Sequence, residues 1–193
     1  LILGDNLYHG NELSQQLIKA NNNIKSSTIF VYPVSDPERY GVAEFKNNKV
    51  INLYEKPKDP KSRYAVTGIY FYDHTVVDKA KQIKPSSRGE LEITSLNNLY
   101  LQQDNLNVEI MGRGIAWLDT GTFDSLHQAS TYISVLEKRQ GLKVGCPEEV
   151  AWRKGWITNK DLASIANSML KSGYGEYLLK ILEDPIKNNY EKI

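Results

Sequence analysis

A chain of 193 residues with 24 Lys and Arg against 23 Asp and Glu is nearly neutral, which leaves no basic field for nucleic acid or an anionic membrane surface. A hydrophobic share of 40% and a charged share of 24% are ordinary for a globular protein with one sizeable core. The single cysteine, Cys146, cannot build an internal disulfide framework, and no apolar run is long enough for a membrane-spanning helix, so a soluble cytoplasmic protein is expected.

The chain opens on Leu1-Ile2-Leu3, which reads as the tail of a buried strand, and Gly4, Asp5 and Asn6 follow at once. Leu13, Leu17 and Ile18 recur at helical spacing, and the Asn run at 21–23 supplies a stop. Residues 27–35 (STIFVYPVS) are β-branched and aromatic, as a strand requires. The segment 40–57 reads as two strands around the polar turn Lys46-Asn47-Asn48-Lys49, terminated by Pro57. Strand character returns at 65–73, and a short helix over 75–83 carries Val76, Val77, Ala80 and Ile83. Ile93, Leu96 and Tyr100 then share one helical face, and two short strands between 106 and 121 are broken at Gly112-Arg113-Gly114.

A long helix starts near Thr122, with Phe123, Leu126, Ile133 and Leu136 expected to face inward. From about Pro147 the pattern is helical alone. Pro147 suits a first helical position, and Thr158 suits the N-cap of a helix holding Leu162, Ile165, Ala166, Met169 and Leu170 before Gly173. Leu178, Leu179 and Leu182 mark a last helix, ended by Pro185. Strands and helices do not alternate cleanly. The expected fold class is therefore α/β with a mixed sheet, divided into a body at 1–145 and a helical appendage at 146–193.

Two segments place a carboxylate after an apolar run in nearly the same wording: LILGD ends at Asp5 and IAWLD at Asp119. Ligands of open α/β sheets bind at strand ends, and two converging carboxylates could hold Mg²⁺. Each Asp could equally cap a helix or close a turn. Glu55-Lys56-Pro57 closes a strand, and Pro57 is expected to hold Lys56 extended. Neighbours on a strand point to opposite faces, so Glu55 and Lys56 reach one pocket only if the strand ends or bulges there. On spacing alone they read as a solvated ion pair. Gly41 and Gly68 mark close backbone approaches, and Arg88 lies in a Gly-flanked loop before a helix, a position suited to phosphate. His9, His74 and His127 lack metal-ligand spacing, and no motif of covalent nucleophilic catalysis occurs.

Six blocks, LILGDN, DPERYGVAEF, EKPKDPKSRYAVTGIYFYD, KPSSRGELEIT, MGRGIAWLDTGTFDSL and EKRQGLKVGCPEEVAWRKGWI, stand in the order and wording of one family. The chain resembles the glucose-1-phosphate thymidylyltransferases, bacterial sugar nucleotidyltransferases, from Leu1 to at least Tyr177. The resemblance implies a Rossmann-like, glycosyltransferase-A-like sheet, with glucose 1-phosphate and dTTP converted to dTDP-glucose and pyrophosphate on the way to dTDP-rhamnose-type sugars. It implies Mg²⁺ on Asp5 and Asp119, a nucleotide contact from Asn6, and glucose contacts from Gly41, Glu55 and Val66 with Tyr40 and Thr67 beside them. Lys56 and Arg88 would hold the sugar phosphate, and a homotetramer with an effector site near the helical end is implied. The family's N-terminal strand and Gly-rich loop do not occur in these residues. The expectation is accordingly a C-terminal portion, inactive alone, of a longer enzyme. A non-catalytic sugar-phosphate-binding or assembly module, or an enzyme using another nucleotide, is the alternative.

Overall fold

The computed structural model describes residues 1–23 and 26–183; Pro185, expected to end the last helix, lies outside them. Packing divides the chain into two compact units, Leu1–Leu126 and His127–Ile193. The first unit is built on β2 (Ser27–Pro33) and β5 (Tyr64–Phe71), whose residues are buried almost without interruption. Such runs belong at the centre of a sheet covered on both faces. Beside them lie β3 (Gly41–Lys46), β4 (Lys49–Glu55) and β6 (Leu106–Ile110), in the order β4-β3-β5-β2-β6. The β2–β6 pairing is parallel and the others are antiparallel, so the sheet is mixed, as expected.

The two faces of β2 separate two cores. Ile29 and Val31 pack with Ala43, Leu53, Val66 and Tyr70, under Ile93 and Leu101 of α3 (Ile93–Gln102). Phe30 points the other way, toward Ile69, Met111 and Ile115 and toward Leu13, Leu17 and Ala20 of α1 (Leu13–Asn22). Each fully buried aliphatic or aromatic side chain here contributes about 1.5–3 kcal/mol of transfer free energy. The β3–β4 hairpin turns on Asn47 and Asn48, with φ of 52° and 61°. Both are left-handed, which Asn tolerates better than other side chains and which matches the twist of a two-residue hairpin.

Several local expectations are corrected. Leu1–Leu3 forms a single bridge, Ile2 to Ile69, and its side chains are exposed rather than buried. A strand not expected from the sequence, β1 (Asn6–His9), begins directly after Asp5 and pairs antiparallel with β7 (Ala116–Asp119). β2 stops at Pro33, two residues short of the expected Ser35, although the Val34 N–H still donates to the Arg63 carbonyl at 2.9 Å. Ile18 and Val77, the latter in α2 (Val76–Ala80), are exposed. Phe123 and Leu126, at the start of α4 (Phe123–Gln140), are also exposed rather than inward. Helical spacing tells which side chains share a face, but the covering surface has to come from elsewhere in the chain.

The second unit gathers α5 (Pro147–Arg153), α6 (Asn159–Ser168) and α7 (Tyr174–Glu183) around Cys146, Leu162, Ala166, Leu178 and Ile181. Pro147 occupies the first turn of α5. Thr158 caps α6 through a reciprocal box: its hydroxyl accepts from the Asp161 N–H, and the Asp161 carboxylate accepts from the Thr158 N–H at 2.9 Å. The helix ends at Ser168, short of Met169 and Leu170, and Gly173 takes the left-handed conformation with φ of 72°. The start of α7 comes so close to α6 that a Cβ on Gly175 would lie 2.1 Å from the Ala166 carbonyl oxygen. Gly175→Ala should destabilise this unit by about 2 kcal/mol through forced displacement of the two helices, measured by urea unfolding.

Candidate functional site

Ladder pairing brings Asp5 and Asp119 together. Asn6 is the register partner of Asp119, so the residue before β1 lies beside the last residue of β7. Thr120 then clasps the join, its N–H and its hydroxyl each donating to the Asp5 carbonyl at 2.8 Å. Both carboxylates line one open cleft of about 480 Å³ in the first unit. The pair sits on the two-stranded β1–β7 ribbon, not on the edge of the five-stranded sheet.

Glu55 and Lys56 line the same cleft. The strand does end there: β4 stops at Glu55, opposite Gly41, and the Lys56 N–H donates to the Tyr40 carbonyl at 3.0 Å. Lys56 is not extended, as the following proline suggested; its φ is 42°, in the left-handed region. Pro57 disfavours the right-handed helical region at Lys56, and the chain escapes to the left-handed side instead of the extended one. That single reversal turns two consecutive side chains toward one cleft, at a backbone cost of about 1–3 kcal/mol.

The Glu55 carboxylate is held from two sides. Thr94, from α3, donates its hydroxyl to Oε2 at 2.5 Å, and the Arg88 guanidinium lies 3.5 Å from Oε1. Gly41 leaves room for this arrangement, since a Cβ there would meet the Thr94 hydroxyl at 3.0 Å. Arg88 itself stands behind the cleft lining rather than in it. It is shared among Glu55, Glu90 at 3.0 Å and Glu92 at 3.6 Å, on a turn closed by the Gly89 N–H to the Ser86 carbonyl. A phosphate entering near Glu55 would compete for a guanidinium already neutralised by carboxylates.

Val66, Gly68 and Tyr70 at alternate positions of β5 form one wall, and the fully buried Thr67 stands between them. Tyr40 packs against Trp117 with ring centroids 5.1 Å apart and planes tilted by 58°, which adds an aromatic part to the lining. Burial pushes the Tyr40 hydroxyl above its ordinary range, so it remains a neutral donor at physiological pH. Trp117 and Thr94 were not among the expected site residues, whereas Gly68 is the close backbone approach that its position in a strand suggested. Trp117 was legible: it stands two residues before Asp119 on a strand, where residues of equal parity share a face. Thr94 was not, because it reaches Glu55 from a helix far along the chain.

The donor set suits a hard cation. Asp5 and Asp119 supply carboxylate oxygens, and among the described residues no group of three or more His, Cys, Asp or Glu gathers to form a protein cage. Mg²⁺ is held in this manner, by one or two carboxylates with water and phosphate completing its shell.

Residues 1–135 match the nucleotidyl transferase family. The chain is 48% identical over 184 residues to the glucose-1-phosphate thymidylyltransferase of Neisseria meningitidis, covering 95% of this chain and 64% of that protein. Against the glucose-1-phosphate thymidylyltransferase of Mycolicibacterium smegmatis it is 53% identical over 184 residues, with the same coverage of 95% and 64%. The chain thus spans about 64% of the length of these relatives. A Bacillus anthracis structure assigned as a glucose-1-phosphate thymidylyltransferase, determined in complex with a sucrose, superposes with a TM-score of 0.60 at 44% identity. That superposition covers 68% of this chain and 52% of the other.

Proposed function

The chain belongs to the nucleotidyl transferase family, and from that premise we propose that its cleft binds glucose 1-phosphate for Mg²⁺-dependent transfer of a thymidylyl group from dTTP. The observation that carries this reading is the meeting of Asp5, Asp119, Glu55 and Lys56 in one cleft, although they come from three separate parts of the sequence. Glu55 and the backbone at Gly41 and Val66 accept and donate to the sugar hydroxyls, with Tyr40 and Thr67 alongside. Lys56 and Arg88 neutralise the sugar phosphate, and Asn6 lies on the nucleotide side. Mg²⁺, held by Asp5 and Asp119, would supply charge neutralisation for the reacting phosphates.

In the reaction a phosphate oxygen of glucose 1-phosphate forms a bond to the α-phosphorus of the nucleotide, and the bond from that phosphorus to pyrophosphate breaks. The nucleophile is already an anion at neutral pH, so no residue has to take a proton. The work of the residues is alignment and charge: Lys56 and Arg88 hold two mutually repelling anions at reacting distance. The same resemblance supports a cytoplasmic homotetramer. It also supports a division of labour between a sugar-phosphate and metal part at 1–145 and the helices at 146–193.

The test uses a chain of full family length carrying these residues, with Mg²⁺, glucose 1-phosphate and each of four nucleoside triphosphates in turn. Pyrophosphate release fastest with dTTP is the expected result. Release fastest with another nucleotide would move the base assignment, and no release with any would overturn the reading.

A further inference from the structure

Asn6 sits among three strands. Its Oδ1 accepts from the Trp117 indole Nε1 on β7 at 2.6 Å, from the Gly68 N–H on β5 at 3.1 Å and from the Tyr8 hydroxyl on β1 at 3.3 Å. An indole N–H and a backbone N–H can only donate, so the atom facing them must be the amide oxygen. The orientation of the amide is therefore settled by chemistry, and its nitrogen is turned toward Asp5, donating to Oδ1 at 2.8 Å.

The seat is shaped for this one group. A Cβ on Gly68 would lie 2.6, 2.7 and 2.9 Å from the Asn6 Oδ1, Cγ and Nδ2 atoms, so any other residue at 68 would evict the amide. This accounts for a glycine in the middle of a fully buried strand, where glycine otherwise weakens pairing. Burial pushes the Tyr8 hydroxyl up to about 12, against the opposing hydrogen bonds of Thr67 and Gly68 and with a smaller push from the Asp5 and Asp119 charges. Tyr8 accordingly stays protonated as a donor to Asn6. Trp117 is itself packed against Tyr32 and Tyr40, with centroids 5.9 and 5.1 Å away, which fixes its N–H.

We infer that Asn6 is a positioning residue for the metal carboxylate: clamped by Trp117, Gly68 and Tyr8, its amide fixes the Asp5 carboxylate in the orientation that receives a divalent cation. The inference rests on the proposed role of Asp5 and gives Asn6 a task besides its place on the nucleotide side. Outer-shell hydrogen bonds of this kind hold ligands in place, and their loss typically weakens metal binding by about 10–100-fold.

The experiment titrates Mn²⁺ into the 193-residue chain, without sugar or nucleotide, and follows free Mn²⁺ by electron paramagnetic resonance. Asn6→Ala and Trp117→Phe should each weaken binding by about tenfold or more, with the melting temperature recorded alongside. Trp117→Phe keeps the ring and removes only the N–H donor, so it remains informative if Asn6→Ala fails to fold. A sugar-stacking role for Trp117 would leave Mn²⁺ binding unchanged. If Asp5→Asn abolishes binding while both clamp variants bind as the parent does, the positioning role is wrong and the metal assignment stands. If Asp5→Asn itself binds Mn²⁺ normally, the metal reading fails first, and the inference falls with it.

Discussion

In a family-length chain, Asp119→Asn lowers turnover by about a thousandfold and leaves the affinity for glucose 1-phosphate close to that of the parent. The substitution keeps the size and polarity of a half-buried side chain at the end of β7, so the ribbon and its register with Asn6 should persist. What it removes is one of the two negative charges that would hold the cation. Electrostatic stabilisation through a metal is worth several kcal/mol, and about 4 kcal/mol corresponds to about three orders of magnitude in rate. In the proposed site the sugar would be held by Glu55, Gly41 and Val66, which line the same cleft, so its binding should change little. Steady-state kinetics at saturating Mg²⁺, with sugar-phosphate binding measured by titration calorimetry, check both halves. An Asn variant with parental turnover would remove Asp119 from the site.

Lys56→Gly should have two effects of opposite sense: a more stable protein and a much weaker catalyst. Lys56 adopts a left-handed backbone with φ of 42°, which costs a residue with a Cβ free energy that glycine does not lose. Relief of that strain, less the greater freedom glycine gains in the unfolded chain, leaves a gain of about 0.5–1 kcal/mol. The lost ammonium, a charge-assisted partner for phosphate, should cost about a hundredfold in kcat/KM for glucose 1-phosphate. Lys56→Arg should restore only part of this, since a broad planar fork does not replace a compact charge at the same place. Chemical denaturation and kinetics on the same preparations decide it. Loss of both stability and activity in the glycine variant would mean that Lys56 acts through packing.

How much of this was legible in the sequence depended on whether the cause was local. The Asn47-Asn48 turn, the Thr158 cap and the β2 and β5 strands each carry their reason within a few residues; the turn and the cap formed where expected, and both strands ended two residues early. β1 did not announce itself. Asn6–His9 has little apolar alternation and becomes a strand because Ala116–Asp119, more than a hundred residues later, supplies its hydrogen bonds. The conformation of Lys56 was misjudged because Pro57 excludes one region without choosing between those that remain, and the bond to Tyr40 makes the choice. Arg88 comes within 3.5 Å of Glu55 but is not among the residues lining the cleft, and its three carboxylate partners depend on how the loop at 86–92 folds back against Glu55. The convergence of Asp5 with Asp119 could be suspected from two similar phrases. Their adjacency is a property of the ladder.

The most direct test of the site as a whole is a measurement of ³¹P relaxation of glucose 1-phosphate in the presence of the Mn²⁺-loaded chain. A cation on Asp5 and Asp119, facing a sugar phosphate held by Lys56 and Arg88, should strongly enhance that relaxation. Asp5→Asn combined with Asp119→Asn should abolish the enhancement. Relaxation that is unaffected in the parent chain, or that is still enhanced in the doubly substituted one, would contradict a shared metal and sugar-phosphate site in this cleft.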